Sequence, residues 1–266
     1  MNTKTLIRRH SAPTRITHWI NVLALSLLLM SGLQIFNAHS ALDWGQKSSF
    51  TRPWLSMTAQ ERDGRLIGVT EVGGARLVTT GVLGASGGTP RGFPAWATAP
   101  SWRDLSAGRR WHFFFAWVFV ANGAAYLLWS LFGGHIARDL WPRRGELSPR
   151  NLLHEVATHA RLKFPKGEAA RHYNILQKLS YLAVVLVLAP LMVATGLTMS
   201  PGFNAAAPWL LDLFGGRQSA RSIHFICASL LVLFVAVHLA MVMASGLFNN
   251  LRSMITGRYA IEEDRA

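Results

Sequence analysis

Cysteine is nearly missing from this chain: its 266 residues contain one, Cys227, so no intramolecular disulfide framework can form. Acidic side chains are also scarce. Thirteen Asp and Glu stand against 27 Lys and Arg, for a net charge of +14. Charged residues of both signs make up only 15% of the sequence, too few for a solvated, disordered polymer. Such an excess of positive charge could point to nucleic acid. However, the basic residues form neither a tract nor one patch, and nucleic-acid binding is excluded on that ground.

What the chain has instead is long apolar runs. Half of its residues are hydrophobic and the mean hydropathy is +0.23, which places it among membrane proteins. Four segments approach the ~20 apolar residues needed to cross a bilayer, at 16–36, 110–132, 175–200 and 220–246. The expected fold is an all-α integral membrane protein, a four-helix bundle treated as one domain. A long insert joins the first two spans at 37–109, a connection covers 133–172, and a tail at 247–266 is expected to end in a charged, mobile stretch. Residues 1–40 imitate a secretory leader. The long first apolar segment, with His18 and Trp19 inside it and three further spans behind it, instead predicts a retained helix.

Basic residues flank the spans unevenly. Lys4, Arg8, Arg9 and Arg15 precede the first, and Arg138, Arg143, Arg144, Arg150, Arg161, Lys163, Lys166 and Arg171 lie between the second and third. The short third connection has only Arg217 and Arg221. The positive-inside rule therefore predicts both termini and the second connection in the cytoplasm. The long insert is then external. Within it, residues 65–83 place β-branched side chains around Gly73-Gly74, a β-hairpin signal. The insert reads either as a cap and docking surface or as a plain surface loop.

The fourth span holds two histidines, His224 and His238. Ionisable groups inside a span mark function by default. Fourteen residues at about 100° each return to within ~40° of the start, so both rings share a helix face, roughly 21 Å apart along the axis. His18 opens the first span and His112 the second. Alternating helix direction then sets depth: His18 and His238 near the cytoplasm, His112 and His224 near the outside. Two pairs form without remainder, most simply as ligands of two haems. Imidazole suits iron, and two axial histidines leave no open site for oxygen, which favours electron transfer. No Cys-x-x-Cys-His sequence occurs, so the haems are non-covalent, b-type. Arg15, Arg109, Arg110 and Arg221 are candidate partners for haem propionates. Gly32 and Gly123 lie on the histidine faces of their helices, either to admit a flat macrocycle or to pack helices. His135, His154 and His159 read as solvated or interfacial.

At the start of the third span, Asn174, Gln177, Lys178 and Tyr181 line one face next to Tyr173. They could hydrogen-bond a quinone head group or merely anchor the helix, with Lys178 snorkelling to lipid phosphates. Pro190 predicts a kink.

The early His-Trp, the Arg-x-x-His opening the second span and the fourth span's two histidines together resemble the prokaryotic di-haem cytochrome b subunits, the cytochrome b561 type. These include the membrane subunits of hydrogenases, formate dehydrogenases and, nearest in likeness, thiosulfate-reductase-type enzymes. Tyr173-Asn-x-x-Gln-Lys resembles the quinone-side motif of the formate dehydrogenase subunit, and that likeness favours quinone binding by Tyr173, Asn174, Gln177 and Lys178. The resemblance implies a bacterial inner-membrane protein and electron relay between a periplasmic redox protein, a molybdopterin oxidoreductase, and membrane quinone. Two alternatives remain from the residues: a self-contained quinone oxidoreductase with a small donor such as superoxide, and a haem-free anchor or transporter.

Overall fold

In the computed structural model, residues 4–49, 51–162 and 173–262 are described; Lys163, Lys166 and Arg171 lie outside them. The elements run β1 (Lys4–Arg8), α1 (Ala12–Phe36), β2 (Ala41–Leu42), β3 (Leu55–Arg62), β4 (Arg65–Val72), β5 (Ala75–Val78), β6 (Ala85–Ser86), β7 (Thr89–Pro90) and α2 (Leu105–Phe132). They continue with α3 (Pro149–Ala160), α4 (Ile175–Ala183), α5 (Ala189–Thr198), α6 (Pro201–Ala206), α7 (Pro208–Leu213), α8 (Arg217–Ala244), α9 (Leu247–Thr256) and β8 (Arg258–Glu262). Four helical stretches are long and apolar enough to cross a membrane: Ala12–Phe36, Leu105–Phe132, Ile175–Thr198 and Arg217–Ala244. Their large side chains face outward, as in Trp117, Leu131 and Leu233, which is stable only where lipid is the solvent. Between α4 and α5 the third span widens into one i→i+5 turn at Val184–Leu188. That turn sits just before Pro190 and accommodates the proline's missing N–H.

The contacts divide the chain into two compact units. One comprises Met1–Ile20, Asn122–Pro190 and Ser229–Ala266. Here β1 pairs antiparallel with β8, Lys4 opposite Glu262 and Arg8 opposite Arg258. The tail after Gly246 forms α9 followed by a paired strand up to residue 262; the rest of its charged end lies outside the described residues. Asn249 of α9 clamps β8 by giving Nδ2 to the Ala260 carbonyl at 2.8 Å and taking the Ala260 N–H at 2.9 Å. The final carbonyls of α9, orphaned by helix geometry, are met from α1. Trp19 Nε1 donates to Met254 O at 3.1 Å, and Arg15 donates to Ile255 O.

The other unit comprises Asn21–Ala121 and Leu191–Ala228. Its insert carries a four-stranded antiparallel sheet in the order β2-β3-β4-β5. Two tight turns build it. Asp63-Gly64 links β3 to β4 and Gly73-Gly74 links β4 to β5, all four residues at positive φ. This is the geometry that Asp-Gly and Gly-Gly select in right-twisted hairpins. The sheet is larger than the single hairpin expected around Gly73-Gly74. A small core of Phe36, Leu42, Leu55 and Met57 lies beneath it, with Trp54, Phe93 and Phe225 packed against it.

The insert also closes the N-terminus of α8. The Gly45 carbonyl accepts from the Gln218 N–H at 2.9 Å and the Ser219 N–H at 3.2 Å, and Ser219 Oγ takes the Gly45 N–H at 2.8 Å. Trp54 Nε1 donates to Ser222 Oγ at 2.9 Å, which donates to Asp43 O at 2.6 Å. The approach is close enough to demand glycine at residue 216: φ is +114°, and a Cβ there would lie 2.7 Å from the Gly45 carbonyl. Gly216→Ala is expected to destabilise the protein by about 1–3 kcal/mol through backbone strain and the displaced cap, read as a lowered Tm of the detergent-solubilised chain. An unchanged Tm would contradict this account of the α8 start.

Candidate metal-binding histidine pairs

The four span histidines form two pairs, one inside each unit. In the second unit the rings of His112 on α2 and His224 on α8 have centroids 6.3 Å apart and planes inclined at 61°. In the first unit His18 on α1 and His238 on α8 have centroids 6.4 Å apart at 57°. These are the two pairings that depth predicts.

The surroundings of His112 and His224 match one another. His112 Nδ1 lies 3.1 Å from Ser31 Oγ and 3.2 Å from the Leu28 carbonyl. His224 Nδ1 lies 3.0 Å from Thr195 Oγ1. Each ring edge rests against a glycine. A Cβ on Gly32 would meet His112 Cε1 at 3.3 Å, and one on Gly196 would meet His224 Cε1 at 3.5 Å. Gly32 was expected on the histidine face; Ser31, Thr195 and Gly196 were not singled out. The signal that could have found them is a Ser-Gly and a Thr-Gly dipeptide in spans one and three, at the depth of the outer histidines.

Around His18 and His238 the contacts are aromatic. Trp19 meets the His18 ring edge-on at 5.3 Å. Phe234 stacks on His238 at 5.9 Å, touches Tyr181 at 6.3 Å, and Tyr181 touches Tyr173 at 5.7 Å. His18 Nδ1 is buried with no hydrogen-bond partner among the described residues. Gly123 faces open space, with nothing within 4 Å of a Cβ built on it.

Two imidazoles that ligate one metal at about 2 Å each place their ring centroids about 6 Å apart, as both pairs do. Among the described residues no group of three or more His, Cys, Asp or Glu could hold a metal ion. An imidazole pair with no further ligand-type cluster among the described residues suits a metal that brings its other ligands with it. The residues fit haem.

The other expected site residues are placed differently. Arg221 is committed to the insert, donating to Ala41 O at 2.9 Å and to His39 O, with its guanidinium over the Phe36 ring. Arg15 caps α9, as described, although its Nε is buried without a partner among the described residues. Arg109 and Arg110 are exposed, Arg109 lying over Phe113 at 5.7 Å. At the start of α4, Asn174 and Gln177 form a reciprocal capping box: Asn174 Oδ1 takes the Gln177 N–H at 2.9 Å and Gln177 Oε1 takes the Asn174 N–H at 3.3 Å. Asn174 Nδ2 donates to His159 Nε2 at 2.7 Å, so His159 is a structural partner rather than a solvated side chain. Lys178 does not snorkel. It is buried and reaches both Glu146 oxygens at 2.9 Å. Asp139 pairs with His135 at 2.6 Å, and His154 is exposed.

Tyr173 faces a cavity. It lines about 240 Å³ together with His10, His135 and Asp139, and its hydroxyl lies 3.3 Å from His10 Nδ1. Burial, assisted by Arg9, lowers the His10 pKa to about 4, so the imidazole is neutral at pH 7. Burial raises that of Tyr173, which keeps its proton.

Paired imidazoles between apolar membrane-length helices suit the class of haem-bearing membrane proteins. The chain belongs to the prokaryotic cytochrome b561 family, whose model matches residues 9–257. It is 28% identical over 239 residues, 90% of this chain and 92% of the relative, to a protein of Azospira oryzae. That relative carries the provisional name protein-methionine-sulfoxide reductase subunit YedZ1. No solved structure matches. The protein is thus a multi-pass membrane subunit that binds haem b and transfers electrons.

The Lys178–Glu146 pair gives a pH test. Burial alone would raise the Glu146 carboxyl, but hydrogen bonds from Lys178 and the Arg143 N–H hold it below its ordinary 4.5. A depressed carboxyl contributes stability above the unfolded value and loses it as pH falls through the folded one. Glu146→Gln is expected to lower stability at pH 7 by about 1–3 kcal/mol, and the gap in Tm should close as the pH drops below 4.5. A gap that persists at lower pH would contradict the assignment.

Proposed function

We propose that this protein relays electrons across the bacterial inner membrane through two bis-histidine haems b. His112 and His224 hold one, and His18 and His238 hold the other. The observation that carries the reading is the twin pairing of imidazoles at 6.3 and 6.4 Å, each in its own unit. When bound, haem iron supplies a reversible one-electron couple. Two imidazoles to each iron would leave no position open to oxygen, and the apolar helix faces would exclude water.

Quinone is the proposed redox substrate on the cytoplasmic side, where both termini and residues 133–172 are placed by charge. Its head group is assigned to the cavity lined by Tyr173, His10, His135 and Asp139. Tyr173 supplies the hydroxyl that a quinone carbonyl can accept from. The contact series Tyr173, Tyr181, Phe234, His238 supports that location. Asn174, Gln177 and Lys178 act one step back, fixing the start of α4 and with it Tyr173. Arg15, through its unpartnered Nε, remains the arginine suited to a propionate. Arg109 and Arg110 are free enough to serve, and Arg221 is held by the insert.

The insert at 37–109 is proposed as the periplasmic docking surface for a redox enzyme, a molybdopterin oxidoreductase. Its exposed Trp44, Trp96 and Trp102 suit protein contact, and the reductase-subunit name of the relative agrees with such a partner. The purified chain should show a b-type reduced-minus-oxidised spectrum and close to two haems per polypeptide. His112→Ala and His224→Ala should remove the same haem, and His18→Ala and His238→Ala the other. A count of one, or four variants that all retain two, would sink the assignment. Gly32→Ala should weaken the outer haem more than Gly196→Ala does, because its Cβ would sit closer to the imidazole (3.3 against 3.5 Å). Haem occupancy of the two variants checks this.

A further inference from the structure

The pair His112–His224 is held by one device used twice. In α1 the run is Leu27-Leu28-Leu29-Met30-Ser31-Gly32. In the third span it is Leu191-Met192-Val193-Ala194-Thr195-Gly196. Ser31 and Thr195 are both fully buried, at 0% exposure. Each hydroxyl donates to the carbonyl four residues back, Ser31 Oγ to Leu27 O and Thr195 Oγ1 to Leu191 O, both at 2.6 Å. A hydroxyl has one proton, and here it is committed to the helix. Only lone pairs are left to face the histidine.

That settles the tautomer. The Leu28 carbonyl, 3.2 Å from His112 Nδ1, can only accept, and so can Ser31 Oγ once its proton is used. Thr195 Oγ1 is in the same state opposite His224. Both Nδ1 atoms therefore carry the proton, and both Nε2 atoms hold the lone pair that a metal needs. The glycine that follows each hydroxyl residue makes room for the ring edge, so the dipeptide works as a unit: the hydroxyl orients the ring and the glycine admits it.

We propose that Ser31 and Thr195 are positioning residues of the outer haem, locking His112 and His224 as Nε2 ligands and, by accepting their Nδ1–H bonds, lowering that haem's reduction potential. The proposal rests on the assignment of these two histidines as ligands. Its physical basis is that a hydrogen bond from the distal nitrogen increases ligand basicity. A more basic ligand favours the oxidised iron, and axial donation and hydrogen bonding around it are recognised levers on potential.

The test is a redox titration of the full-length, haem-loaded chain, followed optically and by the low-spin ferric resonances. Ser31→Ala and Thr195→Val should move one of the two haem transitions to higher potential and leave the second in place. The transition that moves should be the one that His112→Ala abolishes. Ser31→Thr and Thr195→Ser, which keep the acceptor, should stay near the parent value. Loss of that one haem in the first pair, restored in the second, would be the same effect in stronger form.

Full occupancy with both transitions unmoved in S31A and T195V would overturn the proposal. So would an equal shift of both transitions, or a conservative pair that behaves no better than the first, including a common failure to accumulate. If His112→Ala retains both transitions, the ligand assignment falls instead, and the two failures are distinguished.

Discussion

Hydrocarbon offers no hydrogen bonds, and every polar atom placed in it needs a partner supplied by the protein or its cofactor. The span histidines are where this constraint bears hardest, because each has two ring nitrogens. For His112 and His224 one side is met within the protein, by a buried hydroxyl 3.1 and 3.0 Å from Nδ1, and in the proposed assignment Nε2 is the side left for iron. Ser31 and Thr195, glycine at residues 32 and 196, and the commitment of each hydroxyl proton to its own helix all follow from that accounting. Unmet, a buried donor costs on the order of 1–3 kcal/mol, enough to displace a ring from a site that tolerates little movement.

The same demand shapes the ends of helices. Orphan N–H groups at the start of α8 are met by a carbonyl of the insert, and orphan carbonyls at the end of α9 by Arg15 and Trp19. Arginine near a membrane surface invites assignment to a cofactor's carboxylates. Arg221 shows what competes for that role: a guanidinium has five donors, and the Ala41 and His39 carbonyls take two of them.

Much of this was legible in the sequence. The four spans follow from apolar length alone, and the pairing of His18 with His238 and His112 with His224 follows from alternating helix direction. Both depend on one-dimensional order. What stayed hidden depends on which neighbour a short side chain meets. In the sequence, little beyond the glycine that follows each sets Ser31 and Thr195 apart from other hydroxyls in a span, where back-bonding to the helix is ordinary. Asn174, Gln177 and Lys178 were visible as a polar face, but not as a cap and an ion pair, because Glu146 lies 32 positions away. The pairing of β1 with β8 was invisible for the same reason, since its partners are separated by nearly the whole chain.

That last pairing bears on how the protein is made. The strand at residues 4–8 precedes all four candidate spans in the chain, and its mate at 258–262 follows them. Until the later segment is made, β1 has no partner strand, α9 is not there to receive Arg15 and Trp19, and His18 lacks its neighbour His238. Closure of the two ends is therefore a late step in biogenesis. A ribosome that stalls or truncates the chain before β8 leaves a membrane-inserted intermediate that is recognisably unfinished, with a free strand edge available to quality-control proteases.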